Sequence, residues 1–202
     1  MPDLSTLAFA VIVLTSMIIL VFRDWRINAG ALAVQYLAVF YLVTLSWPIS
    51  LAVVKLIVGW MATAAIGLTC LRQMNNDEVL ESTSSLFFRG LSGLMVILVI
   101  FVVSTPLQDS LFPNLPLVII RSGSMLIGLA LMQLGTNARP YLTIMSLLSF
   151  LAGFEVIHAG LERSTLLTGL MASINLGLAL VGVYFIMKAN LGSEKSSEEE
   201  RA

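Results

Sequence analysis

Glu155 and His158 stand three residues apart in SFLAGFEVIH, residues 149–158, a run that is otherwise apolar. On a helix that spacing places a carboxylate and the only imidazole of the chain on one face, a turn apart. Imidazole titrates near neutral pH, so the two could pass a proton along a short relay. Two cations join them inside apolar runs, Lys55 in LAVVKLIVGW and Arg121 in LVIIRSGSM. Ionisable groups in such runs are costly, and each is a functional-site hypothesis that needs a partner.

The bland readings of the same residues stand beside this one. Lys55 and Arg121 could snorkel to an interface along their aliphatic stems. Glu155, with a shorter stem, could form a buried pair that only sets helix packing. His158 could be a hydrogen-bonded interfacial residue.

The elements that must position these groups follow from composition. The 202 residues are 58% hydrophobic and 11% charged, with a mean hydropathy of +0.95. That lies outside the range of soluble domains and predicts an all-α, polytopic integral membrane helix bundle. A membrane helix needs about 20 apolar residues, and this ruler predicts about seven transmembrane helices. They fall at 4–22, 27–45, 48–71, 90–105, 115–133, 141–161 and 166–188. The breaks are FRDWR, SWP, RQMNNDEVLESTSSLFFR, TPLQDSLFPN, GTNARP and GLERST, where Pro, Gly, Asn and charges end helices. The first span lacks a positive leader and a small-residue cleavage site, so it is read as retained. Residues 1–190 form a single transmembrane domain, and 191–202 a charged cytoplasmic tail expected to be disordered.

The basic residues segregate. Arg23, Arg26, Arg72, Arg89, Arg139, Lys188, Lys195 and Arg201 fall on one side, and only Arg163 on the other. The positive-inside rule then predicts an outside N-terminus and a cytoplasmic C-terminus. On that topology Lys55 lies about 10 Å, and Arg121 and Glu155 about 9 Å, inside the outer ends of their spans. A carboxylate would share its depth with two cations.

Several functions are excluded by what is missing. A net charge of −1 with no basic cluster gives no footprint for nucleic acid. One Cys (Cys70) and one His leave no disulfide framework, and no zinc, iron–sulfur or bis-histidine haem site from this chain alone. No cofactor is expected here, and in a redox assembly another subunit would carry it. Gln35 and Asn175 place amides in mid-span and are read as interhelical contacts. Gly169, Ser173 and Gly177 form a small-xxx-small stripe for close helix packing, as do Ser124 and Gly128.

Two stretches carry a family resemblance. WRINAGALAVQYLAVFYLVTL followed by LAVVKLIVGW resembles the corresponding region of component E of hydrogenase-4, in which a span bears an intramembrane lysine, here Lys55. NARPYLTIMSLLSFLAGFEVIHAGL resembles the glutamate-bearing helix shared by that subunit, the K subunit of respiratory complex I and the C subunit of multisubunit cation/proton antiporters, with Glu155 at the membrane glutamate. The complex I subunit has a second buried glutamate in its next helix. Here the seventh span offers only Ser173 and Asn175, and Arg121 has no counterpart. The resemblance implies a subunit packed beside a larger antiporter-like membrane subunit, with other subunits of a redox complex, assisting proton or cation translocation.

The expected function is therefore that of a non-catalytic membrane subunit of a complex I-like or hydrogenase-type complex. Its ion pathway would involve Glu155, Lys55, His158 and Arg121. A purely structural membrane subunit and a small independent transporter are the alternatives. Transporters usually show repeats and broken helices at matching positions, and neither is evident. A retinal-type receptor is disfavoured because the intramembrane lysine is in the third span. An enzyme acting alone lacks a nucleophile–base pair and a phosphate-binding loop.

Overall fold

The structure is a computed structural model that describes residues 4–73, 83–136, 139–162 and 164–199. Arg163 and Arg201, both used in the charge argument, lie outside them. The described residues form seven helices: α1 (Leu4–Val21), α2 (Trp25–Thr44), α3 (Ile49–Gln73), α4 (Thr83–Leu111), α5 (Leu117–Thr136), α6 (Pro140–Leu161) and α7 (Thr165–Glu199). Each contains a segment long and apolar enough to cross a membrane. The fold is all-helical among the described residues, as expected of a multi-pass membrane protein.

Helix ends fall where local chemistry places them. Asp24 caps α2 by accepting from the Arg26 amide at 2.9 Å. Pro48 and Pro116 immediately precede α3 and α5, and Pro140 opens α6, where a missing N–H costs nothing. Two helices outrun the apolar ruler. Helix α4 starts at Thr83 rather than 90 and runs through Pro106 to Leu111. Pro106 removes one backbone bond without ending the helix, which membrane helices tolerate. Helix α7 continues through the charged residues after Lys188 as far as Glu199, a stretch rich in the strong helix formers Glu and Lys.

The helices pack as two adjoining four-helix squares. Helices α2, α3, α7 and α6 form one, each in contact with the next around the ring. Helices α1, α2, α6 and α5 form the other, so α2 and α6 are the common edge. Helix α4 lies outside both, against α5 and α1. Its exposed Leu94, Leu98 and Val102 and the exposed Leu170, Leu180 and Tyr184 of α7 suit contact with lipid chains, whereas α6 is enclosed on most sides.

At the end bearing Arg23, Arg26, Arg72, Arg89 and Arg139, four helices secure the last turn of α1 and the two residues that follow it. Gln133 of α5 donates to the Ile19 carbonyl at 2.9 Å, Arg89 of α4 to Val21 at 3.1 Å, and Asn28 of α2 to Phe22 at 3.0 Å. The Tyr141 hydroxyl of α6 donates to the Arg23 carbonyl. A helix leaves its final carbonyls without intrahelical partners. In an apolar solvent these must be satisfied by protein, which fixes α1 against the rest of this end.

Close helix packing occurs at different glycines from those expected. Gly169 and Gly177 meet nothing within 4 Å of an added Cβ, and Ser173 is exposed, its hydroxyl donating back to the Gly169 carbonyl at 2.9 Å. Among the described residues, the stripe on α7 therefore makes no close glycine-mediated crossing. The tight crossing lies between α5 and α6. A Cβ at Gly123 would lie 2.9 Å from the Gly153 carbonyl oxygen, and one at Gly153 would lie 2.7 Å from that of Gly123. Gly128 is used as the spacing suggested, its missing side chain making room for Val96 and Ile100 of α4.

The contrast sets a prediction. Gly153→Ala pushes a methyl into backbone, which cannot retreat as a side chain can, and is expected to cost about 1–3 kcal/mol. Gly169→Ala is expected to be neutral or stabilising by up to about 1 kcal/mol through helix propensity. Unfolding of the two variants in mixed detergent micelles measures both.

Candidate functional site

Lys55 and Glu155 meet as an ion pair inside the first square. Lys55 enters from α3 and Glu155 from α6, helices that stand diagonally across the square. Each is six residues inside its helix from the end opposite the arginines, so both lie about 9 Å deep. Their side chains are 6% and 2% exposed, too little for either to snorkel out. The Lys55 ammonium meets Glu155 Oε2, while Glu155 Oε1 is buried with no hydrogen-bond partner among the described residues.

The other diagonal of the square is also bridged. Tyr36 of α2 donates its hydroxyl to Asn175 Oδ1 of α7 at 3.2 Å, fully buried. The Tyr36 ring reaches across because α3 has glycine at position 59, where any Cβ would overlap the ring. Gly59 lies one turn beyond Lys55 on α3, so one helix both supplies the cation and opens the path for the phenol. An ion pair and a hydrogen bond thus cross the square at neighbouring depths, from four different helices.

Tyr36 was not among the residues singled out from the sequence. The signal that could have found it is general: a phenol in mid-span needs a partner for its O–H, and Asn175 lies at a matching depth. Asn175 does link two helices, as its position suggested. Gln35 differs. It is 1% exposed, and neither its amide nitrogen nor its carbonyl oxygen has a partner among the described residues.

The remaining ionisable groups separate from the pair. His158 is half-buried and stacks on Phe154, ring centroids 6.1 Å apart. Among the described residues no hydrogen bond or ion pair joins it to Glu155, although both lie on one side of α6. Arg121 points away altogether. Its Nε donates to Ser104 Oγ at 3.0 Å, its Nη2 approaches Thr105 Oγ1 at 3.5 Å, and the guanidinium lies 5.1 Å over the Phe101 ring, all on α4. The reason is azimuth. Gly123, two residues on, faces α6, so Arg121 is turned about 200° from it and shares the α4 side with Gly128. The structure therefore brings together Lys55 and Glu155 and leaves Arg121 in a separate α4–α5 contact.

Chemically, the pair is a protonatable carboxylate whose charge is balanced by one buried cation. Protonating Glu155 would leave Lys55 as an uncompensated ammonium in an apolar setting, a costly state unless Lys55 moves or loses its own proton. Proton occupancy at one helix is thereby linked to the position of another. Comparison with protein-family models, curated proteins and solved structures finds no match to this chain.

Proposed function

We propose that this chain is a membrane subunit of a complex I-like or hydrogenase-type redox complex, assisting proton or cation translocation with Glu155 as the proton-carrying carboxylate. The observation that carries the reading is the buried Lys55–Glu155 pair with one carboxylate oxygen left open. A proton can reach the carboxylate through its open oxygen, and taking it up ends the charge balance with Lys55, so proton exchange at Glu155 is coupled to the state of the pair. The α3–α6 diagonal then offers a way to convert that exchange into relative helix movement, which an adjoining antiporter-like subunit could use. The resemblance of 137–161, 25–45 and 51–60 to the small subunits of such complexes points the same way. On this reading His158 serves as an access residue on the outer side of Glu155, and Arg121 anchors α4.

A tagged full-length chain, captured from native membranes in mild detergent, tests the assembly. Recovery of a large antiporter-like subunit together with redox subunits is the expected result. Recovery of the chain alone, or only with itself, would overturn the complex I-like reading in favour of an independent transporter.

The structural alternative has its own supporting observation, since two bridged diagonals would also fix the register of four helices. It differs in requiring no proton exchange at Glu155.

A further inference from the structure

We infer that the second square, formed by α1, α2, α5 and α6, encloses a file of ordered water that leads from the arginine end toward Glu155. This rests on the reading of Glu155 as a proton carrier. The observation behind it is a set of buried polar side chains for which the protein supplies no partner. Among the described residues, the hydroxyls of Ser16, Ser122 and Ser149 and both ends of the Gln35 amide are buried and unpaired.

Serines in helices ordinarily return their hydroxyl to a carbonyl three or four residues back. Ser92, Ser146 and Ser173 do so here at 2.7 to 2.9 Å. Ser16, Ser122 and Ser149 do not, although each is in a regular helix. Buried polar groups are almost always satisfied, by protein or by ordered water, and water typically makes about three bonds to groups otherwise left unpaired.

The four side chains converge on one interior. Ser149 is one turn before Gly153, the glycine that touches α5, so it stands on the α5 side of α6. Ser122 is three turns before Gln133, whose amide reaches α1, and shares that stripe of α5. Ser16 lies on the buried side of α1 with Ile12 and Ile19. On α2, Val34 and Leu37 are exposed and Tyr36 faces α3. Gln35 is left to face the remaining neighbours of that helix, α1 and α6.

Their depths form a ladder. Counted from the arginine end, Ser16 lies about 8 Å in, Ser149 about 14 Å, Gln35 about 15 Å, and Ser122 and Glu155 about 21 to 23 Å. Measured along the helix axes, the steps are about 7 Å. Gln35 stands on α2, which with α6 forms the edge common to both squares. It is the point at which the file passes toward Glu155 Oε1, the carboxylate oxygen without a partner.

The test uses two fully buried methionines beside the ladder, Met145, one turn before Ser149, and Met125, three residues after Ser122. The full chain, in the complex it is captured with, is placed in nanodiscs of phosphatidylethanolamine and phosphatidylglycerol. It is then exposed to X-ray pulses that make hydroxyl radicals from water in place, and methionine oxidation is read by mass spectrometry. Met145 and Met125 are expected to oxidise in the native chain and several-fold more slowly in Gln35→Leu and in Ser149→Ala. Ser149→Ala removes only one oxygen and guards against a Gln35 variant that fails to fold. Protection of both methionines in the native chain, or oxidation unchanged in the two variants, would overturn the file. Ion flux measured on Gln35→Leu is expected to fall several-fold; unchanged flux with lost oxidation would overturn the route to Glu155. Failure of the Glu155 reading itself would appear elsewhere, as unchanged flux in Glu155→Gln, with oxidation of Met145 unaffected.

Discussion

Glu155→Gln is expected to reduce coupled proton or cation movement to the level of passive leak while the chain still inserts and assembles. Gln keeps the length and shape of Glu and can still accept from Lys55 through its carbonyl oxygen once Lys55 sheds its own proton to become a neutral amine, so the packing of α6 against its neighbours is retained. What it loses is the exchangeable proton and the charge that Lys55 balances. The measurement is flux driven by the native redox donor in inverted membrane vesicles, normalised to the amount of assembled protein. Leak-level flux with normal assembly supports a proton-carrying role. Normal flux would reduce the pair to a packing device.

Lys55→Met is expected to destabilise the chain by about 3–5 kcal/mol, because it strips the partner from a carboxylate that is 2% exposed. Adding Glu155→Leu to Lys55→Met should recover most of that loss. Replacing a whole buried ion pair with apolar residues of similar volume is often neutral or stabilising, since the attraction within the pair and the penalty of desolvating it nearly offset each other. A double-mutant cycle on unfolding in mixed micelles gives the coupling between the two side chains directly. A coupling near zero would mean that the two groups do not pair in the membrane. Taken with the first prediction, the cycle separates stability from function: the apolar double variant should fold well and move no ions if Glu155 carries the proton.

Hydropathy and the helix-ending residues were enough to predict seven helices, most of their ends apart from those of α4 and the far end of α7, and the position of each ionisable group along its helix. These properties run along the helix axis, where a rise of about 1.5 Å per residue converts sequence position into distance. The equal depth of Lys55 and Glu155 along their helices was therefore readable, but the burial of Lys55 was not, since its stem could equally have carried the ammonium to an interface. The direction each side chain takes around its axis was not. In a membrane the lipid-facing and protein-facing sides of a helix are about equally apolar, so periodicity does not distinguish them. Arg121 shares the depth of Glu155 and still faces α4, because its helix turns it away. Gly169 and Gly177 have the spacing of a packing stripe, yet a Cβ at either meets nothing within 4 Å among the described residues, whereas Gly123 and Gly153, on different helices and with no shared motif, make the tight crossing. Tyr36 gained a partner on α7 only because Gly59 of α3 clears the way. What the sequence determined by itself was how far along the membrane normal each chemical group stands. Which of those groups meet was decided by the tertiary packing, through helix rotation and the choice of neighbours.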